Sequence, residues 1–245
     1  MAHLYLATHL DGVDPGAIVR VEGTEARHAA TVSRIRAGEG VLVGDGRGIL
    51  VAGTVAAATP SALEVRAERV DRIPAPDREV VLVQALAKGD RDELAVQAAT
   101  ELGVDRIIPW QADRSVSRWA GPKAEKGRER WAAIVREAVK QSLRAWIPEV
   151  APLAGRRELE QLAATHAVIL LEPTGSVPFA DAVRAAADRP LAIVVGPEGG
   201  ISDGELTALT AAGAVAARLG PTVLRTSTAG PAALAALGVL TGRWS

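Results

Sequence analysis

The stretch Leu191-Ala192-Ile193-Val194-Val195-Gly196-Pro197-Glu198-Gly199-Gly200 places an apolar run directly before a glycine-bearing turn. A second turn, Leu219-Gly220-Pro221, follows the apolar segment 214–219. A short apolar run bounded by turn residues is typical of a buried strand. Each turn is therefore predicted to follow a strand end. Glycine has no side chain, so the backbone there can approach a ligand closely. Two such turns predict one ligand site built mostly from main chain.

Strand and helix patterns alternate from Glu79 onward. The helix predicted over 90–102 shows apolar spacing at Leu94, Ala98 and Leu102, and Gly103 follows it as a stop. A longer polar helix is predicted over 123–144. The predicted strands are 80–86, 106–110, 167–171, 191–195 and 214–219. This alternation predicts an α/β fold with a mostly parallel sheet covered on both faces. Ligands of such sheets lie at the carboxyl ends of the strands, where both glycine turns fall.

The first part of the chain shows a different pattern, typical of a small β-barrel or sandwich. Segments 41–43 and 49–52 flank an Asp45-Gly46 step, which favours a tight hairpin. Residues 62–70 alternate apolar and charged side chains, and 24–32 is predicted as one short helix. Prolines in 72–77 oppose both helix and central strand, which indicates a linker. We therefore predict two domains, 1–72 and 73–245.

Composition excludes several classes of protein. The chain has 245 residues, a net charge of −1 and no cysteine, so disulfides, thiolate zinc sites and cysteine nucleophiles are excluded. No apolar run is long enough to cross a bilayer, and the first residues lack the pattern of a signal peptide. A cytoplasmic protein is expected. Any binding of nucleic acid must depend on a local basic surface rather than on net charge.

The first glycine turn is not a phosphate loop of the common kinds. No Gly-Lys-Ser/Thr follows it, and it lacks the Gly-x-Gly-x-x-Gly pattern of dinucleotide sites. Glu198 would repel a phosphate, so a neutral or cationic ligand is favoured. Ser202 and Glu205 have the spacing of a capping box, which predicts a helix directly after the turn and ending at Gly213.

The C-terminal motifs resemble the RsmE family of 16S ribosomal RNA methyltransferases, within the SPOUT superfamily. The resemblance rests on the two glycine turns and on Leu224-Arg225-Thr226-x-Thr228-Ala229. Further motifs occur in the family's order: Thr100-Glu101-Leu102-Gly103-Val104, Ile108-Pro109, Arg114-Ser115-Val116, Arg130-Trp131 and Gln141-Ser142-x-Arg144-x-x-Ile147-Pro148. His28 with Arg34-Ile35-Arg36 resembles the family's PUA-like N-terminal domain. The chain departs from the family at Ser227, where Glu is frequent, at Ala98-Ala99, and at Lys140.

The resemblance implies S-adenosylmethionine as the cofactor, a deep C-terminal trefoil knot, and a homodimer with its active site near the subunit interface. Main-chain groups of the two turns and of the C-terminal segment would surround the cofactor. The implied cofactor contacts are Leu171, Glu172, Gly196, Glu198, Gly200, Leu219, Gly220, Leu224, Arg225, Thr226 and Thr228.

The implied reaction is methylation of uridine N3 in 16S ribosomal RNA, in an assembled or nearly assembled small subunit. The transferred methyl leaves a positively charged sulfur, so no metal is expected. The N3 proton must leave, and a cation near the uracil oxygens would favour the anion. Arg225 is the candidate for that cation, or alternatively fixes its loop. Glu198 is the candidate base or a contact to the cofactor's cationic part, or alternatively organises its own loop. The identity of the base stays open.

RNA contact is predicted for two groups of residues. The first domain contributes Arg27, His28, Arg34 and Arg36, and the second contributes Arg114, Gln141 and Arg144. Between Arg118 and Arg144, basic residues outnumber acidic ones by eight to three. Trp119, Trp131 and Trp146 lie in or beside this segment and either stack on bases or belong to the core or dimer interface, with the core favoured for Trp131. Two alternatives to this enzyme stay open: a non-catalytic RNA-binding or ribosome-assembly protein, and a methyltransferase for another RNA such as tRNA.

Overall fold

A computed structural model of the protein describes residues 3–244, which form two compact units. The first contains the chain up to Ala75 together with Val139–Ile147, and the second contains Pro76–Ala138 together with the chain from Pro148 onward. The predicted domain boundary after residue 72 stays a prediction. This division places the break after Ala75 and assigns 139–147, which the sequence pattern joined to the second part, to the first unit.

The first unit is built on one sheet. Its strands are β1 (Leu4–Leu6), β2 (Ile18–Glu22), β3 (Gly40–Gly44), β4 (Ile49–Ala58) and β5 (Ala62–Arg72), in the order β1-β3-β4-β5-β2. Only β1 and β3 are parallel neighbours. The predicted hairpin at Asp45-Gly46 is confirmed: Gly46 has a φ of 69°, and the Asp45 carboxylate accepts hydrogen bonds from the amides of Arg47 and Ile49.

The helix predicted over 24–32 is not one regular helix. An α-helix, α1 (Gly23–Arg27), passes into a π-helical segment, His28–Ser33, and Arg34 ends it in the left-handed region with a φ of 53°. The Thr31 hydroxyl donates to the Arg27 carbonyl at 2.7 Å. Such a side-chain bond competes with the backbone bond of an α-helix, which is consistent with the wider turn.

The second unit contains the predicted parallel sheet. Its strands are β6 (Val80–Ala85), β7 (Arg106–Trp110), β8 (Glu149–Val150), β9 (Ala167–Leu171), β10 (Val177–Pro178), β11 (Leu191–Val195) and β12 (Val215–Arg218). Their order is β10-β12-β9-β11-β6-β7-β8, and every neighbouring pair is parallel. β6 and β11 are buried along their whole length, as central strands covered on both faces should be. The α/β fold is confirmed, and the knot stays a prediction.

Helices follow most of these strands. They are α2 (Arg91–Glu101), α3 (Pro122–Ser142), α4 (Arg156–Leu162), α5 (Phe179–Ala185), α6 (Asp203–Ala211) and α7 (Thr226–Leu240). The predicted capping box of α6 is confirmed, because Ser202 and Glu205 each accept the other's backbone amide. Gly213, with a φ of 103°, follows the end of α6 as predicted. No helix within residues 3–244 has the length and apolar character that crossing a bilayer requires.

The helices predicted over 90–102 and 123–144 are present as α2 and α3, and each differs from the sequence pattern in one detail. The buried side of α2 carries Ala95, Val96 and Ala99, whereas Leu94 is 59% exposed. The reason is that α2 packs against both α7 and β6, and small side chains allow close approach. The second detail is the end of α3 at Ser142: Leu143 has a φ of 57°, which a continuing helix excludes, and its side chain is exposed.

Arg243, which follows α7, is hydrogen-bonded to the segment that precedes β7. The Arg243 guanidinium donates two hydrogen bonds of 2.9 Å to the Asp105 carboxylate, just before β7. It also donates to the carbonyls of Arg78 and Gly103. Arg243 therefore ties the residues after α7 to the amino ends of the strands. The glycine turns lie at the opposite, carboxyl ends.

Replacing Arg243 with alanine is expected to lower the free energy of unfolding by about 2–3 kcal/mol, because a largely buried carboxylate loses a bidentate partner. Chemical denaturation followed by circular dichroism would measure this. Arg184→Ala is the matched control, since Arg184 makes one exposed ion pair with Asp181 on α5. That pair should contribute less than about 1 kcal/mol. Equal losses for the two variants would contradict the anchoring role of Arg243.

Candidate functional site

A cavity of about 370 Å³ lies at the carboxyl ends of β9, β11 and β12, beside the first turn of α7. Its walls come from three loops and from the first residues of α2 and α7. The lining residues are Arg91, Leu171, Glu172, Pro173, Val195, Gly196, Pro197, Glu198, Gly200, Ile201, Arg218, Leu219, Gly220, Thr222, Val223, Leu224, Arg225, Thr226 and Ala229. A cavity of this size fits a small organic ligand.

Both predicted glycine turns border this one cavity. Of the predicted cofactor contacts, ten are among its lining residues: Leu171, Glu172, Gly196, Glu198, Gly200, Leu219, Gly220, Leu224, Arg225 and Thr226. The other, Thr228, is exposed on α7 and does not line it. The sequence pattern had no signal for Arg91 or Arg218, whose place in the wall depends on how separate elements pack.

The glycines of these turns are required for different reasons. Gly200 and Gly220 have φ angles of 72° and 104°, a region that side-chain-bearing residues rarely adopt. Gly196 has an ordinary backbone, but a Cβ there would lie 2.9 Å from Ile201 Cγ1. A Cβ on Gly199 would lie 3.2 Å from Arg114 Cβ. The turn is therefore packed tightly against Ile201 and Arg114, with little room for a side chain at Gly196 or Gly199.

Glu198 is held by the loop that precedes α2. Its Oε1 accepts a hydrogen bond from the Lys88 amide at 3.0 Å and one from the Arg91 guanidinium at 3.2 Å. That loop is in turn shaped by Asp92, whose carboxylate accepts from the amides of Ala87 and Glu93. Burial raises the pKa of Asp92. These contacts connect the first glycine turn to the β6–α2 loop and use only Oε1 of Glu198, a residue that also lines the cavity.

Two arginines of the wall have free guanidinium groups. Within residues 3–244, neither Arg218 nor Arg225 makes a side-chain hydrogen bond or ion pair, and both are exposed. Glu172 also lines the cavity, where its Oε1 accepts from the Thr174 hydroxyl at 3.0 Å. The cavity thus presents carboxylates together with unpaired cations, a combination that suits a ligand carrying both charges, such as an amino-acid group.

The residues predicted to bind RNA divide between the two units. Arg27, His28, Arg34 and Arg36 are exposed in the first unit, and within residues 3–244 their side chains make no ion pair. Gln141 and Arg144 also belong to the first unit, through the end of α3 and the residues after it. Arg114 belongs to the second unit and donates to the carbonyls of Gly199 and Ile201, so it supports the first glycine turn.

The tryptophans and Lys140 have clear packing roles. Trp131 is fully buried and meets Trp119 edge-on, with ring centroids 5.3 Å apart, which confirms the core position favoured for Trp131. Trp146 donates to the Ile73 carbonyl and lies against Gly48 in the first unit. Lys140, one of the departures from the family pattern, lies 3.2 Å from Glu25 in a largely buried ion pair of the same unit.

Family models match most of the chain. Residues 74–238 match an RNA methyltransferase domain, and residues 21–68 match an RNA methyltransferase PUA domain. The chain is 49% identical over 236 residues to ribosomal RNA small subunit methyltransferase E of Mycobacterium bovis, covering 94% of this chain and 90% of that protein. The Bacillus subtilis protein of the same name is 37% identical over 169 residues, covering 66% of each chain.

Solved structures resemble the whole chain as well. A ribosomal RNA small subunit methyltransferase E from Neisseria gonorrhoeae, bound to S-adenosyl methionine, matches with a TM-score of 0.86 and 27% identity over 98% of both chains. A protein from Legionella pneumophila, solved in complex with the same cofactor, matches with a TM-score of 0.85, 27% identity and the same coverage. The chain is therefore similar, along almost its full length, to proteins that bind this cofactor.

Proposed function

Because the chain belongs to the family of ribosomal RNA small subunit methyltransferase E, we propose that it is an S-adenosylmethionine-dependent methyltransferase of 16S ribosomal RNA. The atom modified is N3 of a uridine. The observation that carries this proposal is that both glycine turns and the start of α7 line the same cavity. The RNA target is the small-subunit RNA, in an assembled or nearly assembled subunit.

The cavity suits S-adenosylmethionine in shape and charge. Apolar walls at Leu171, Leu219 and Leu224 fit an adenine ring, and the adjoining main chain offers hydrogen bonds to its edge. The carboxylates of Glu172 and Glu198 favour the cationic ammonium and sulfonium groups, and Arg218 favours the carboxylate. When bound, the cofactor supplies a methyl group on a positively charged sulfur.

We assign to Arg225 the stabilisation of the uracil anion. Its guanidinium is unpaired, exposed and at the cavity wall, so it is available to a base placed beside the cofactor. A fixed cation near a developing negative charge lowers the barrier to losing the N3 proton. The contacts of Glu198 to Lys88 and Arg91 support a role in shaping the site, while Oε2 is available to contact a ligand. N3 lies on the pairing edge of uracil, so the target base must be unpaired or flipped out.

Mass spectrometry of ribosomal RNA nucleosides tests the reaction directly. Cells lacking the protein are expected to lose 3-methyluridine from 16S RNA and to regain it on complementation. Loss of a modified nucleoside from tRNA instead would establish the alternative substrate. Unchanged nucleosides, together with no heat of S-adenosylmethionine binding in calorimetry, would establish a non-catalytic RNA-binding protein.

We infer that the basic residues of the first unit contact RNA. Replacing both Arg34 and Arg36 with alanine is expected to weaken RNA binding and to reduce its dependence on salt, with a slope smaller by about one per arginine. Filter binding at several salt concentrations would measure both. Arg69→Ala is the matched control, because Arg69 is exposed on the same unit but paired with Asp71. An unchanged salt slope in the double variant would contradict this role.

We also propose the homodimer, the trefoil knot and a cytoplasmic location. Exposed apolar side chains on two helices that pack together, Leu94 on α2 and Val239 on α7, support a dimer interface in the second unit. Sedimentation at several protein concentrations would measure the oligomeric state. A monomer at micromolar concentration would contradict the dimer.

A further inference from the structure

One buried polar side chain stands out in the centre of the parallel sheet. β6 consists of Val80-Val81-Leu82-Val83-Gln84-Ala85, and Gln84 is completely buried among these apolar residues. Burying an amide is unfavourable unless its polar atoms find partners. The Gln84 Oε1 atom has no hydrogen-bond partner within residues 3–244. The unpartnered oxygen makes the burial of Gln84 unfavourable, so the contacts of its amide nitrogen must account for a glutamine at this position.

The Gln84 amide nitrogen is fully used. Nε2 donates to the Ala85 carbonyl at 3.2 Å and to the Thr226 hydroxyl at 3.0 Å, across 142 residues of sequence. Thr226 is the first residue of α7, and its hydroxyl donates in turn to the Gly196 carbonyl at 3.0 Å. A hydroxyl has one hydrogen, so accepting from Gln84 leaves that hydrogen for Gly196. The two bonds therefore form a relay with a fixed direction.

The relay connects two walls of the cofactor cavity, the first glycine turn and the start of α7, through a residue that lies outside the cavity. Gly196 belongs to the first glycine turn, and Thr226 follows Arg225 at the end of the second wall. Gln84 itself does not line the cavity, but it is paired in register with Val195, directly before Gly196. Close packing supports the same junction, because a Cβ on Gly230 of α7 would lie 3.0 Å from Leu82 Cδ1.

We propose that Gln84 is a positioning residue for the S-adenosylmethionine site. Through Thr226 it holds the first turn of α7 against the Gly196 turn, so that both walls, and Arg225 with them, are already in place before the cofactor binds. Binding to a preformed site avoids the cost of ordering its walls. This inference rests on the proposed cofactor. It assigns a role in cofactor binding to a residue outside the cavity, which acts through the Thr226 hydroxyl.

Gln84→Met tests the relay, because methionine is unbranched, similar in length and able to fill a core position without polar atoms. S-adenosylmethionine is expected to bind about tenfold more weakly in calorimetry, the effect of losing roughly one hydrogen bond. In the cofactor-free protein, amides in the first turn of α7 are expected to exchange with deuterium faster than in the wild type. Gln97→Leu is the matched control, since Gln97 is exposed on α2 and bonded to Glu101.

Thr226 variants keep the test decisive if Gln84→Met does not fold. Thr226→Val removes the hydroxyl at nearly constant shape and should cause the same tenfold loss. Thr226→Ser, which retains the hydroxyl, should recover most of that loss. Combining Gln84→Met with Thr226→Val should cost little more than either alone, because both remove one relay.

Unchanged affinity in either Gln84→Met or Thr226→Val would overturn the proposal. If Gln84→Met also lowered the unfolding temperature while its affinity and exchange stayed normal, Gln84 would have a merely structural role. Wild-type protein that fails to bind S-adenosylmethionine would instead contradict the proposed cofactor. The two failures are therefore distinguishable.

Discussion

Gly220→Val is expected to weaken S-adenosylmethionine binding at least about a hundredfold, equivalent to roughly 2.8 kcal/mol. Gly220 lines the cavity with a φ of 104°, which a β-branched residue adopts only with strain of about 1–3 kcal/mol. The variant must either keep this strained backbone or move the loop that forms one wall. Calorimetry with purified protein would measure the loss.

Gly213→Val separates strain from cofactor binding. Gly213 has nearly the same φ, 103°, and no heavy atom within 4 Å of its ideal Cβ, as at Gly220, but it lies after α6 and outside the cavity. Both variants should lower the unfolding temperature to a similar extent, while only Gly220→Val should lose cofactor affinity. Normal affinity in Gly220→Val would place the cofactor elsewhere.

Arg225→Ala is expected to lower kcat for RNA methylation about a hundredfold or more, with less than a threefold change in cofactor affinity. Removing one fixed electrostatic donor from an enzyme site typically costs about 2.7–4 kcal/mol of transition-state stabilisation. The selective loss follows from the free guanidinium, which is bonded to no group within residues 3–244 and so is not needed to hold the loop. Single-turnover methylation and calorimetry would measure the two quantities separately.

Arg218→Ala is the control for general electrostatics, because Arg218 is a second exposed, unpaired arginine of the same wall. It should reduce cofactor or RNA affinity without a comparable loss in kcat. Arg225→Lys should recover part of the rate, since a cation remains but the planar fork is lost. Equal losses of rate and cofactor affinity in Arg225→Ala would make Arg225 a loop-fixing residue.

Local patterns were sufficient to predict most of the second unit. The apolar runs before Gly196 and Gly220 appear as β11 and β12, and the capping residues Ser202 and Glu205 begin α6 as predicted. Predictions failed where packing outweighed local preference. The buried side of α2 follows its alanines rather than Leu94, because that helix lies against both α7 and β6. The single helix expected over 24–32 passes into a π-helical segment instead.

The candidate site was predictable where its residues lie within the turns themselves. Gly196, Glu198, Gly220 and Arg225 stand beside recognisable motifs, and all line one cavity. Arg91 and Gln84 carry no such motif. A glutamine near the end of an apolar strand was the one available signal for Gln84, but the sequence names no partner for it.

The amino-acid sequence by itself determined the parallel sheet, the two glycine turns and the family resemblance, because strand periodicity, turn preference and capping depend on residues close together in the chain. Only the tertiary structure decided that Glu198 pairs with Arg91 and that Gln84 reaches Thr226 across 142 residues. Such contacts depend on which elements become neighbours when the sheet and helices pack, and local sequence patterns do not specify those neighbours.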